Sequence, residues 1–516
     1  MGFLEDGDLS SAPTIPEFFK GKTIFITGGS GFMGKVLVEK LLYSCTDLDR
    51  IYLLMRSKKG VDPEQRLAEL YSSQCFDRLR RERPGVYEKK MFFIAGDVSE
   101  IGLGLSEEDR ALIVNRVNII FHVAASVRFD DSLPVAAKLN LRGTKELVEL
   151  ASDVRELVSF VHVSTTYANT NRDPIEEVLY PPHADWRDTL NICETLDEQT
   201  VKILTPKYLG DLPNTYVFTK QLAEHVVYEQ RGKLPLVIYR PSIVISSHLE
   251  PTPGWIDNFN GPTGIIAAVS KGILRTLYTN PDLISDYIPV DVAIKGCITA
   301  AWIRGVKKLE STDDIPIYNC CSGNLNTITI QEIIDYGLQL AEVMPSNDML
   351  WNVSSSIVTT SKLIYMIKVY LFHLLPALLV DSILWLLGKK TLLFKVQRRI
   401  YTANMALNYF ITQQWTFSNI NFMKLRSAVK PEDCNEFYYE LENVNKFEYF
   451  KTCCVGGRRY LLKEKDEDIP KARAHYHRMV FLDKLVKFSF YGFIFWKFVN
   501  SNFFYTLLEK SQEMLS

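Results

Sequence analysis

The sequence predicts an α/β protein, with a doubly wound parallel sheet followed by a smaller helical C-terminal domain and a hydrophobic tail. Short apolar, β-branched runs alternate with segments of helical periodicity through the first half of the chain. A glycine-rich turn joins the first of these runs to the first helix. Beyond about residue 350 the alternation stops, and two long apolar segments follow.

The glycine-rich turn lies between a predicted strand at residues 23–27 and a predicted helix at residues 35–44. Gly28 permits a tight turn, Gly31 lets a pyrophosphate approach the backbone, and Gly34 lets the helix pack on its strand. An ordinary strand–helix turn is the alternative, but the flanking elements and the position near the N-terminus favour a dinucleotide site. The predicted cofactor contacts in this turn are Thr27, Gly28, Ser30, Gly31, Phe32, Met33 and Gly34.

The second predicted strand, residues 50–56, ends in a basic residue. NAD-dependent dinucleotide folds have an acidic residue here, which holds the ribose hydroxyls. This chain has Arg56, followed by Ser57, Lys58 and Lys59. Because a planar guanidinium suits a 2′-phosphate, we predict NADPH rather than NADH as the cofactor. A solvated charge cluster at a strand end is the alternative.

Three further strands, separated by helical segments, are predicted at residues 91–98, 117–123 and 157–163. Asp97 and Val98 end the first of them and are predicted to contact the adenine, although Asp97 equally suits a turn or a helix cap. Ala124 and Ala125 follow the next strand. Small residues there let the backbone lie close to the nicotinamide ribose, because ligands gather at the carboxyl ends of parallel strands.

A tyrosine and a lysine four residues apart form the candidate catalytic pair. Tyr216 and Lys220 lie in residues 214–228, a segment of helical periodicity, so both side chains share one helix face. A neighbouring cation and an oxidised nicotinamide are expected to lower the phenol pKa from its usual value of about 10 toward neutrality. Lys220 can also reach the nicotinamide ribose hydroxyls, so it is a predicted cofactor contact as well. Thr165, or its neighbour Ser164, follows the fifth strand and is predicted to hold a substrate carbonyl oxygen. An amphipathic helix with a surface lysine is the alternative, and the upstream glycine turn favours the catalytic interpretation.

Together these motifs resemble the extended short-chain dehydrogenases/reductases, whose glycine pattern TGxxGxxG is present at residues 27–34. The resemblance implies a Rossmann-type sheet, a nicotinamide cofactor, and catalytic roles for Tyr216 and Lys220. Residues 240–244 are similar to the segment that follows the sixth strand in these enzymes and closes over the nicotinamide. This similarity adds Pro241 to the predicted cofactor contacts.

A narrower resemblance extends from about residue 18 to about residue 478. The motifs that carry it are PGWIDN at 253–258, NGP at 260–262, IPVD at 288–291 and WTF at 415–417. They look like the eukaryotic, alcohol-forming fatty acyl-CoA reductases. The resemblance implies reduction of a long-chain acyl-CoA thioester by two hydrides to a primary alcohol, in an NADPH-binding domain followed by a smaller helical domain.

The interval between Thr165 and Tyr216 is long for a dehydrogenase of this group. We predict that the inserted segment, residues 170–213, covers the substrate channel, where specificity tends to be set. Thr165 is preferred over Ser164 because it matches the second residue of the usual Ser-Ser pair. The implied thioester chemistry, with Tyr216 as proton donor and Lys220 tuning it, requires no cysteine nucleophile.

Two apolar segments follow residue 350. Residues 363–387 contain four interruptions, at Lys368, His373, Pro376 and Asp381. A membrane span and a buried or interfacial helical pair split at Pro376 are therefore both open. Residues 485–508 are strongly aromatic and follow a basic segment, which favours docking or tail anchoring at a membrane lipid surface. A hydrophobic helix folded onto the second domain is the alternative.

The composition predicts a folded protein that binds no nucleic acid. Hydrophobic residues make up 47% and charged residues 23%, and the formal net charge is −2. The nine cysteines lack zinc-ligand or CxxC spacing, and residues 1–20 lack the features of a signal peptide. We expect no metal site, reduced thiols, and a cytosol-facing catalytic domain at a peroxisomal or endoplasmic reticulum membrane.

We predict an NADPH-binding reductase domain at residues 18–345, a helical domain at 346–478 and a membrane-associated tail at 479–516. Two other functions fit part of the pattern. An extended dehydrogenase acting on a sterol or another hydrophobic alcohol or ketone would share Tyr216 and Lys220 but would need no second domain. A non-catalytic NADP-binding sensor would be expected to lose one of these two residues. No motif sets the oligomeric state or the acyl chain length.

Overall fold

The computed structural model describes residues 9, 11–56, 63–307, 310, 314–353, 358–501 and 511. These residues form two compact units, each assembled from separate stretches of sequence. The first unit draws on residues 1–258, 281–330 and 403–461, and the second on residues 259–280, 331–402 and 462–516. The predicted domain boundaries at 345/346 and 478/479 stay predictions.

The strands are β1 Thr23–Thr27, β2 Arg50–Met55, β3 Met91–Ala95, β4 Ile119–His122, β5 Ser159–Val163, β6 Leu236–Pro241, β7 Ile243–Ile245, β8 Leu277–Tyr278, β9 Ile284–Ser285, β10 Tyr287–Pro289, β11 Ile317–Cys320, β12 Ile328–Thr329 and β13 Val358–Thr359.

The α-helices are α1 Ile15–Phe19, α2 Phe32–Ser44, α3 Pro63–Tyr71, α4 Asp77–Glu82, α5 Val86–Lys90, α6 Glu107–Arg116, α7 Leu133–Ala136, α8 Gly143–Asp153, α9 Trp186–Thr195, α10 Glu198–Leu209, α11 Thr215–Tyr228, α12 Pro262–Ser270, α13 Val290–Val306, α14 Ile330–Val343, α15 Lys362–Val369, α16 Leu375–Leu386, α17 Leu393–Ile411, α18 Ile420–Ser427, α19 Cys434–Phe437, α20 Lys446–Gly456 and α21 Ile469–Val499. Wider π turns lie at Ala137–Arg142, Tyr370–Leu374 and Gly457–Leu461, and a 3₁₀ turn lies at Thr166–Asn169.

The first unit is built on a seven-stranded sheet with the order β11-β6-β5-β4-β1-β2-β3. Every neighbouring pair in this sheet is parallel. The order reverses between β1 and β4, and this switch point is where doubly wound sheets bind their ligands. The predicted Rossmann-type class is confirmed.

Helices cover both faces of this sheet. Apolar residues of α2 and α13 pack on one face, and those of α6 and α8 pack on the other. Because both faces are covered, β1 and β5 are buried along their whole length, which explains their continuous apolar runs. Each predicted strand contains the observed one; β3 ends at Ala95, three residues before its predicted end.

The helix that carries the candidate catalytic pair, α11, begins with a side-chain cap. Asn214 Oδ1 accepts a hydrogen bond from the Val217 backbone N–H at 2.9 Å, which satisfies one of the unpaired donors of the first turn. The predicted segment 214–228 is therefore the observed helix together with its cap. Most of α11 is buried, including Lys220 and Glu224.

In the second unit, residues 362–386 form one continuous helical stretch through α15, a π turn and α16. Of the two open alternatives, a helical pair split at Pro376 is not observed, because the π turn at Tyr370–Leu374 widens the helix just before the proline ring. Asp381 is not an unpaired charge: its carboxylate accepts from the backbone N–H groups of residues 392, 393 and 394 at 2.9 to 3.2 Å. Asp381 therefore caps the start of α17 with its carboxylate.

Large apolar side chains are exposed on two helices of the second unit. In the described part of the chain, Lys362–Leu386 is the one helix long and apolar enough, by length and composition, to cross a membrane. The last helix, α21, exposes Phe488 at 80% and Phe495 at 67% of their surface. The remainder of the predicted tail segment 485–508, after residue 501, lies outside the described residues.

Candidate active site

The predicted site residues meet at the carboxyl ends of β1, β4 and β5, beside the switch point of the sheet. The glycine turn follows β1, the Ala124–Ala125 pair follows β4, and the Ser164–Thr165 pair follows β5. Lys220 Nζ donates to the carbonyl of Val163, the last residue of β5, at 2.6 Å. This bond fixes α11 at the same edge of the sheet.

Close backbone contacts explain why the turn needs glycine at two positions. Gly28 has a φ of +78°, and a Cβ there would lie 2.6 Å from the amide nitrogen of Ala124. A Cβ on Gly34 would lie 2.1 Å from the carbonyl oxygen of Gly28. Ser30 and Gly31 are exposed, and the N–H groups of the first turn of α2 begin beside them. The turn is therefore an open cradle that suits a pyrophosphate.

The buried Thr27 side chain begins a directional chain of hydrogen bonds. The Thr144 hydroxyl donates to the carbonyl of Asn140 at 2.7 Å, so it accepts from Nε2 of His122 at 3.0 Å. His122 Nδ1 is then an acceptor and receives the Thr27 hydroxyl at 2.7 Å. Burial, with a smaller effect of the Lys220 charge, lowers the pKa of His122 to about 3. The neutral ring therefore links β1 to the helix start at residue 143.

Asn140, on the π turn before α8, joins the loop after β4 to the catalytic helix. Its Oδ1 accepts from the Ser126 backbone N–H at 2.8 Å, and its Nδ2 donates to the Ser126 carbonyl at 3.2 Å. The same Nδ2 lies 3.0 Å from the Thr219 hydroxyl. The half-buried Ala124–Ala125 pair immediately precedes Ser126, so its backbone is held against α11.

The motif at residues 253–258 braces the helix that follows the glycine turn. Phe32 stacks on Trp255 with ring centroids 5.4 Å apart and planes 19° apart. Lys35, one turn further along α2, pairs with Asp257 at 2.9 Å. The side chain of Phe32 is therefore engaged by this motif, and only its backbone lies beside the cradle.

Three of the predicted cofactor residues pack in or against the core. Met33 packs against the main apolar cluster, and Val98 is buried in the cluster on the opposite face of the sheet. A Cβ on Gly143 would lie 2.8 Å from the Val98 carbonyl oxygen. Pro241 is buried at the end of β6, paired with Cys320. Any contact of these residues with a nucleotide stays a prediction.

Arg56 and Asp97, both predicted to contact the adenosine end of the cofactor, form an ion pair. The Nε of Arg56 lies 2.9 Å from Oδ2 of Asp97, and the arginine side chain is 62% exposed. The other oxygen of Asp97 accepts from the N–H and the hydroxyl of Ser99, both at 2.9 Å. The carboxylate therefore orients a guanidinium that still faces solvent.

The candidate catalytic residues are brought together at the end of β5. Tyr216 is half-buried and interacts with the Thr165 hydroxyl, which lowers the phenol pKa slightly. The Thr165 hydroxyl accepts a hydrogen bond from the Tyr167 backbone N–H at 3.2 Å. Ser164 Oγ is buried and has no hydrogen-bond partner among the described residues. An unsatisfied buried hydroxyl beside a tyrosine and a lysine is suited to a polar ligand atom such as a carbonyl oxygen.

Burial moves the pKa values of the tyrosine and the lysine in opposite directions. It raises the pKa of Tyr216 to about 12, against a smaller lowering by the Thr165 hydrogen bond. It lowers the pKa of Lys220 to about 8, against a smaller raising by Glu224. Loss of solvent therefore dominates the pKa of Tyr216 in this structure, and the lowering expected from Lys220 together with an oxidised nicotinamide stays a prediction.

A buried ion pair supports the catalytic helix from behind. Arg240 donates from Nε and Nη2 to the two carboxylate oxygens of Glu224, at 2.8 and 2.7 Å. Its remaining N–H groups reach the carbonyls of Glu176 and Val178, at the start of the insertion. Arg240 thus connects β6, α11 and the insertion.

Sequence reasoning missed several residues of this region. The sequence pattern assigns no role to His122, Asn140 or Glu224, and it presents Arg240 only as part of a motif. A signal existed for Arg240, because it is the one charged residue in the apolar run 236–241. No local signal places Phe129, whose ring centroid lies 5.6 Å from that of Tyr216.

The insertion packs on the catalytic helix. Apolar residues of α9 and α10 form one cluster with those of α11. Trp186 Nε1 and the guanidinium of Arg187 bind the carboxylate of Glu229, just past the end of α11. Its role as a channel cover stays a prediction. The nine cysteines are free, and the described residues contain no metal-binding cluster of His, Cys, Asp or Glu.

Two family models, both described as male sterility protein, match the chain at residues 26–297 and 372–464. Fatty acyl-CoA reductase 1 of Xenopus laevis is 40% identical over 466 residues, 90% of each chain. The Homo sapiens protein of the same name is 38% identical over the same shares. Fatty acyl-CoA reductase wat of Drosophila melanogaster is 35% identical over 501 residues, 96% of each chain.

Solved structures share the fold at low sequence identity. The terminal R domain of the myxalamid PKS-NRPS pathway has a TM-score of 0.58 at 17% identity, covering 86% of this chain and 92% of that one. The reductase (R) domain of a nonribosomal peptide synthetase from Mycobacterium tuberculosis has a TM-score of 0.56 at 18% identity, covering 88% and 96%. These likenesses show the fold of the chain.

Proposed function

Because the chain belongs to the fatty acyl-CoA reductases, we propose that it reduces long-chain acyl-CoA to a primary alcohol and CoA with NADPH at the edge of the sheet beside Tyr216. The chain is an enzyme that reduces fatty acyl-CoA, and its first unit is a nicotinamide nucleotide-binding fold. The observation that supports the site is the convergence of Tyr216, Lys220 and the Ser164–Thr165 pair beside the glycine cradle.

NADPH fits the residues present. The cradle at Gly28 and Gly34, which a Cβ at either position would fill, suits the pyrophosphate. Arg56 follows β2 with a solvent-facing guanidinium that Asp97 orients, and a guanidinium binds a 2′-phosphate better than ribose hydroxyls. The Ala124–Ala125 pair follows β4, and Pro241 ends β6; both lie at the carboxyl ends of strands, where the nicotinamide is predicted to bind.

The mechanism assigns one task to each polar side chain. When bound, the reduced nicotinamide supplies the hydride, and conversion of a thioester to an alcohol takes two of them. Thr165 and Ser164 hold the substrate oxygen by hydrogen bonds, the second through a hydroxyl with no partner among the described residues. After the first hydride Tyr216 gives its proton to this oxygen, which leaves a hemithioacetal. Tyr216 takes the proton back when the C–S bond breaks and CoA leaves as a thiolate, and it gives the proton again to the oxygen of the aldehyde after the second hydride.

The two pKa shifts support this direction of proton transfer. A tyrosine with its pKa raised to about 12 is protonated at neutral pH, as a proton donor must be. Lys220, with its pKa lowered to about 8, is mostly charged at neutral pH and stabilises the phenolate that donation leaves. Lys220 thus tunes Tyr216 after proton transfer, when the negative charge has formed.

We also propose that the second unit contacts a membrane lipid surface, at the peroxisome or the endoplasmic reticulum, with the catalytic unit facing the cytosol. The exposed apolar faces of Lys362–Leu386 and α21 support this proposal. If the tail is the anchor, deleting residues 485–516 is expected to release the protein into the soluble fraction, although the apolar face of Lys362–Leu386 is retained. A product that remains membrane-bound would refute anchoring by this tail.

A direct assay tests the function. The purified protein, incubated with hexadecanoyl-CoA and NADPH, is expected to produce free CoA and hexadecanol. Tyr216→Phe should lower this rate by about 10²–10⁴-fold, because the proton donor is lost, and leave NADPH binding intact. Retained turnover would contradict the role of Tyr216. Reduction of a hydrophobic ketone, with no alcohol from any acyl-CoA, would favour the sterol-type dehydrogenase.

A further inference from the structure

A connected set of aromatic rings begins at the candidate proton donor. Phe129 lies 5.6 Å from Tyr216 and 4.9 Å from Phe410, measured between ring centroids. Tyr167 lies 5.6 Å from Phe410. Two further rings lie against Tyr167, at 5.6 and 5.2 Å. The aromatic wall is the set of Phe129, Tyr167, Phe410, Trp415 and Phe417.

Hydrogen bonds fix the far part of the aromatic wall to the chain that follows β5. Trp415 Nε1 donates to the carbonyl of Thr170 at 2.9 Å. The backbone N–H of Thr416 donates to Asp173 Oδ1 at 2.9 Å, and the N–H of Ile175 donates to the Thr416 carbonyl at 2.8 Å. The motif at residues 415–417 therefore sets the position of these rings relative to the turn that begins at Thr165.

Hydrogen bonds also fix Phe129, the ring of the aromatic wall that lies beside Tyr216. The Thr215 hydroxyl donates to the carbonyl of Asp131 at 2.9 Å, and the Ser126 hydroxyl donates to the Asp131 carboxylate. In sequence, Phe129 lies between Ser126 and Asp131, which these two hydrogen bonds hold in place. Thr215 is the residue before Tyr216. The position of the Phe129 ring is thus tied to that of the catalytic phenol.

Burial changes along the aromatic wall. Tyr167 and Phe417 are buried core residues, whereas Phe129, Phe410 and Trp415 are half-buried. A fixed, half-buried ring beside a proton donor presents an apolar face next to the reacting carbonyl. A thioester has an acyl chain on one side of that carbonyl and a polar pantetheine on the other, and only the acyl side gains from an apolar face.

We propose that Phe129 and Phe410 bind the acyl chain, with Phe129 at the methylenes next to the thioester and Phe410 at methylenes further along. This inference rests on the proposed function, because it places the reacting carbonyl beside Tyr216. The order follows from the ring positions, since Phe129 lies between Tyr216 and Phe410. Phe410 is therefore a determinant of chain-length selectivity.

Chain length separates the contributions of the two rings. Phe410→Ala is expected to lower kcat/KM for hexadecanoyl-CoA by about tenfold, as removal of a few methylene contacts does, and to leave butanoyl-CoA nearly unchanged. Phe129→Ala is expected to lower kcat/KM for both substrates. NADPH affinity should be unchanged in both variants. Phe92→Ala, at a half-buried ring on β3 away from the site, is the matched control and should preserve the wild-type chain-length profile.

Hexadecanoyl and butanoyl thioesters of N-acetylcysteamine, which lack most of CoA, distinguish the two sides of the carbonyl. If the aromatic wall binds the acyl chain, the Phe410→Ala loss is the same for these thioesters as for the CoA substrates. A loss seen only with CoA substrates, or one equal for all chain lengths, would overturn the inference. If Phe410→Ala does not fold, Phe410→Leu is measured instead. Its loss of kcat/KM is expected to be smaller, and again larger for hexadecanoyl than for butanoyl substrates. Wild-type protein that forms no alcohol from any acyl-CoA would instead refute the proposed function.

Discussion

Replacing Lys220 by methionine is expected to stabilise the protein at neutral pH while it abolishes reduction. Lys220 is 2% exposed, and burial lowers its pKa from the ordinary 10.5 to about 8. At pH 7 the folded protein therefore keeps a charge in an environment that disfavours it. Methionine has a similar length and carries no charge.

The size of the effect follows from the pKa shift. Each pKa unit corresponds to about 1.4 kcal/mol, so the shift of Lys220 corresponds to roughly 3 kcal/mol of free energy of unfolding. The variant loses the hydrogen bond from Nζ to the Val163 carbonyl, which is worth about 1 kcal/mol. A net gain of about 2 kcal/mol at pH 7 is the expected result.

The pH dependence has a definite sign. Between pH 8 and about 10.5 the unfolded chain holds a proton on Lys220 that the folded chain releases, so wild-type stability rises with pH in this interval. The advantage of the variant is full below pH 8 and is lost as the pH approaches 10.5. Above that, both states of the wild type have a neutral amine, and the variant lacks the hydrogen bond.

Thermal unfolding of the ligand-free protein and Lys220→Met, from pH 6 to 10, measures this difference. Lys207→Met, at an exposed position on α10, is the control and should show no such trend. A Lys220→Met variant that melts below the wild type at pH 7 would refute the reasoning, as would a difference that does not change with pH.

Two further predictions concern the cofactor. Gly34→Ala is expected to abolish NADPH binding in a fluorescence titration, because its Cβ would lie 2.1 Å from the Gly28 carbonyl oxygen; saturable binding at wild-type affinity would contradict the cradle. Arg56→Ala is expected to raise KM for NADPH by about tenfold and to leave KM for NADH nearly unchanged, as loss of one charge-assisted contact to a 2′-phosphate predicts. An equal change for both nucleotides would show that Arg56 does not select between them.

Sequence patterns within short segments predicted those parts of the site that a single turn, strand or helix forms. The glycine turn, the strand ends and α11 each follow from spacing within one short segment, and the structure has all three. Phe129 and Phe410 could not be paired in this way, because their contact depends on how distant segments pack. The effect of burial on the pKa of Tyr216 could not be predicted for a related reason, since burial depends on the whole fold and spacing gives only the nearest charge.

The split at Pro376, one of two alternatives that the sequence leaves open, is not observed for a different reason. A proline inside a helical pattern removes one backbone donor, and the rule for such patterns ends the helix there. In the structure a π turn at Tyr370–Leu374 precedes the proline, and the helix continues to Leu386. Sequence periodicity contains no signal for a single wide turn. The same turn type at Ala137–Arg142 carries Asn140, which joins the β4 loop to α11.

The opposite pKa shifts of Tyr216 and Lys220 decide which group limits catalysis as the pH rises. The lysine, with its pKa at about 8, loses its proton well before the tyrosine, with its pKa at about 12. The rate of alcohol formation is therefore expected to fall above pH 8. The cause is loss of the cation that stabilises the phenolate, while the phenol itself remains protonated.

Glu224→Gln tests this assignment, because the Glu224 charge raises the pKa of Lys220 and its removal should move the fall in rate to lower pH. The variant also leaves Arg240 buried without its counter-charge, which is expected to cost about 3–5 kcal/mol, so the profile is measured at low temperature. Glu229→Gln, at an exposed position past the end of the same helix, is the control and should keep the wild-type profile. A fall in rate that stays near pH 8 in Glu224→Gln would show that another group sets it.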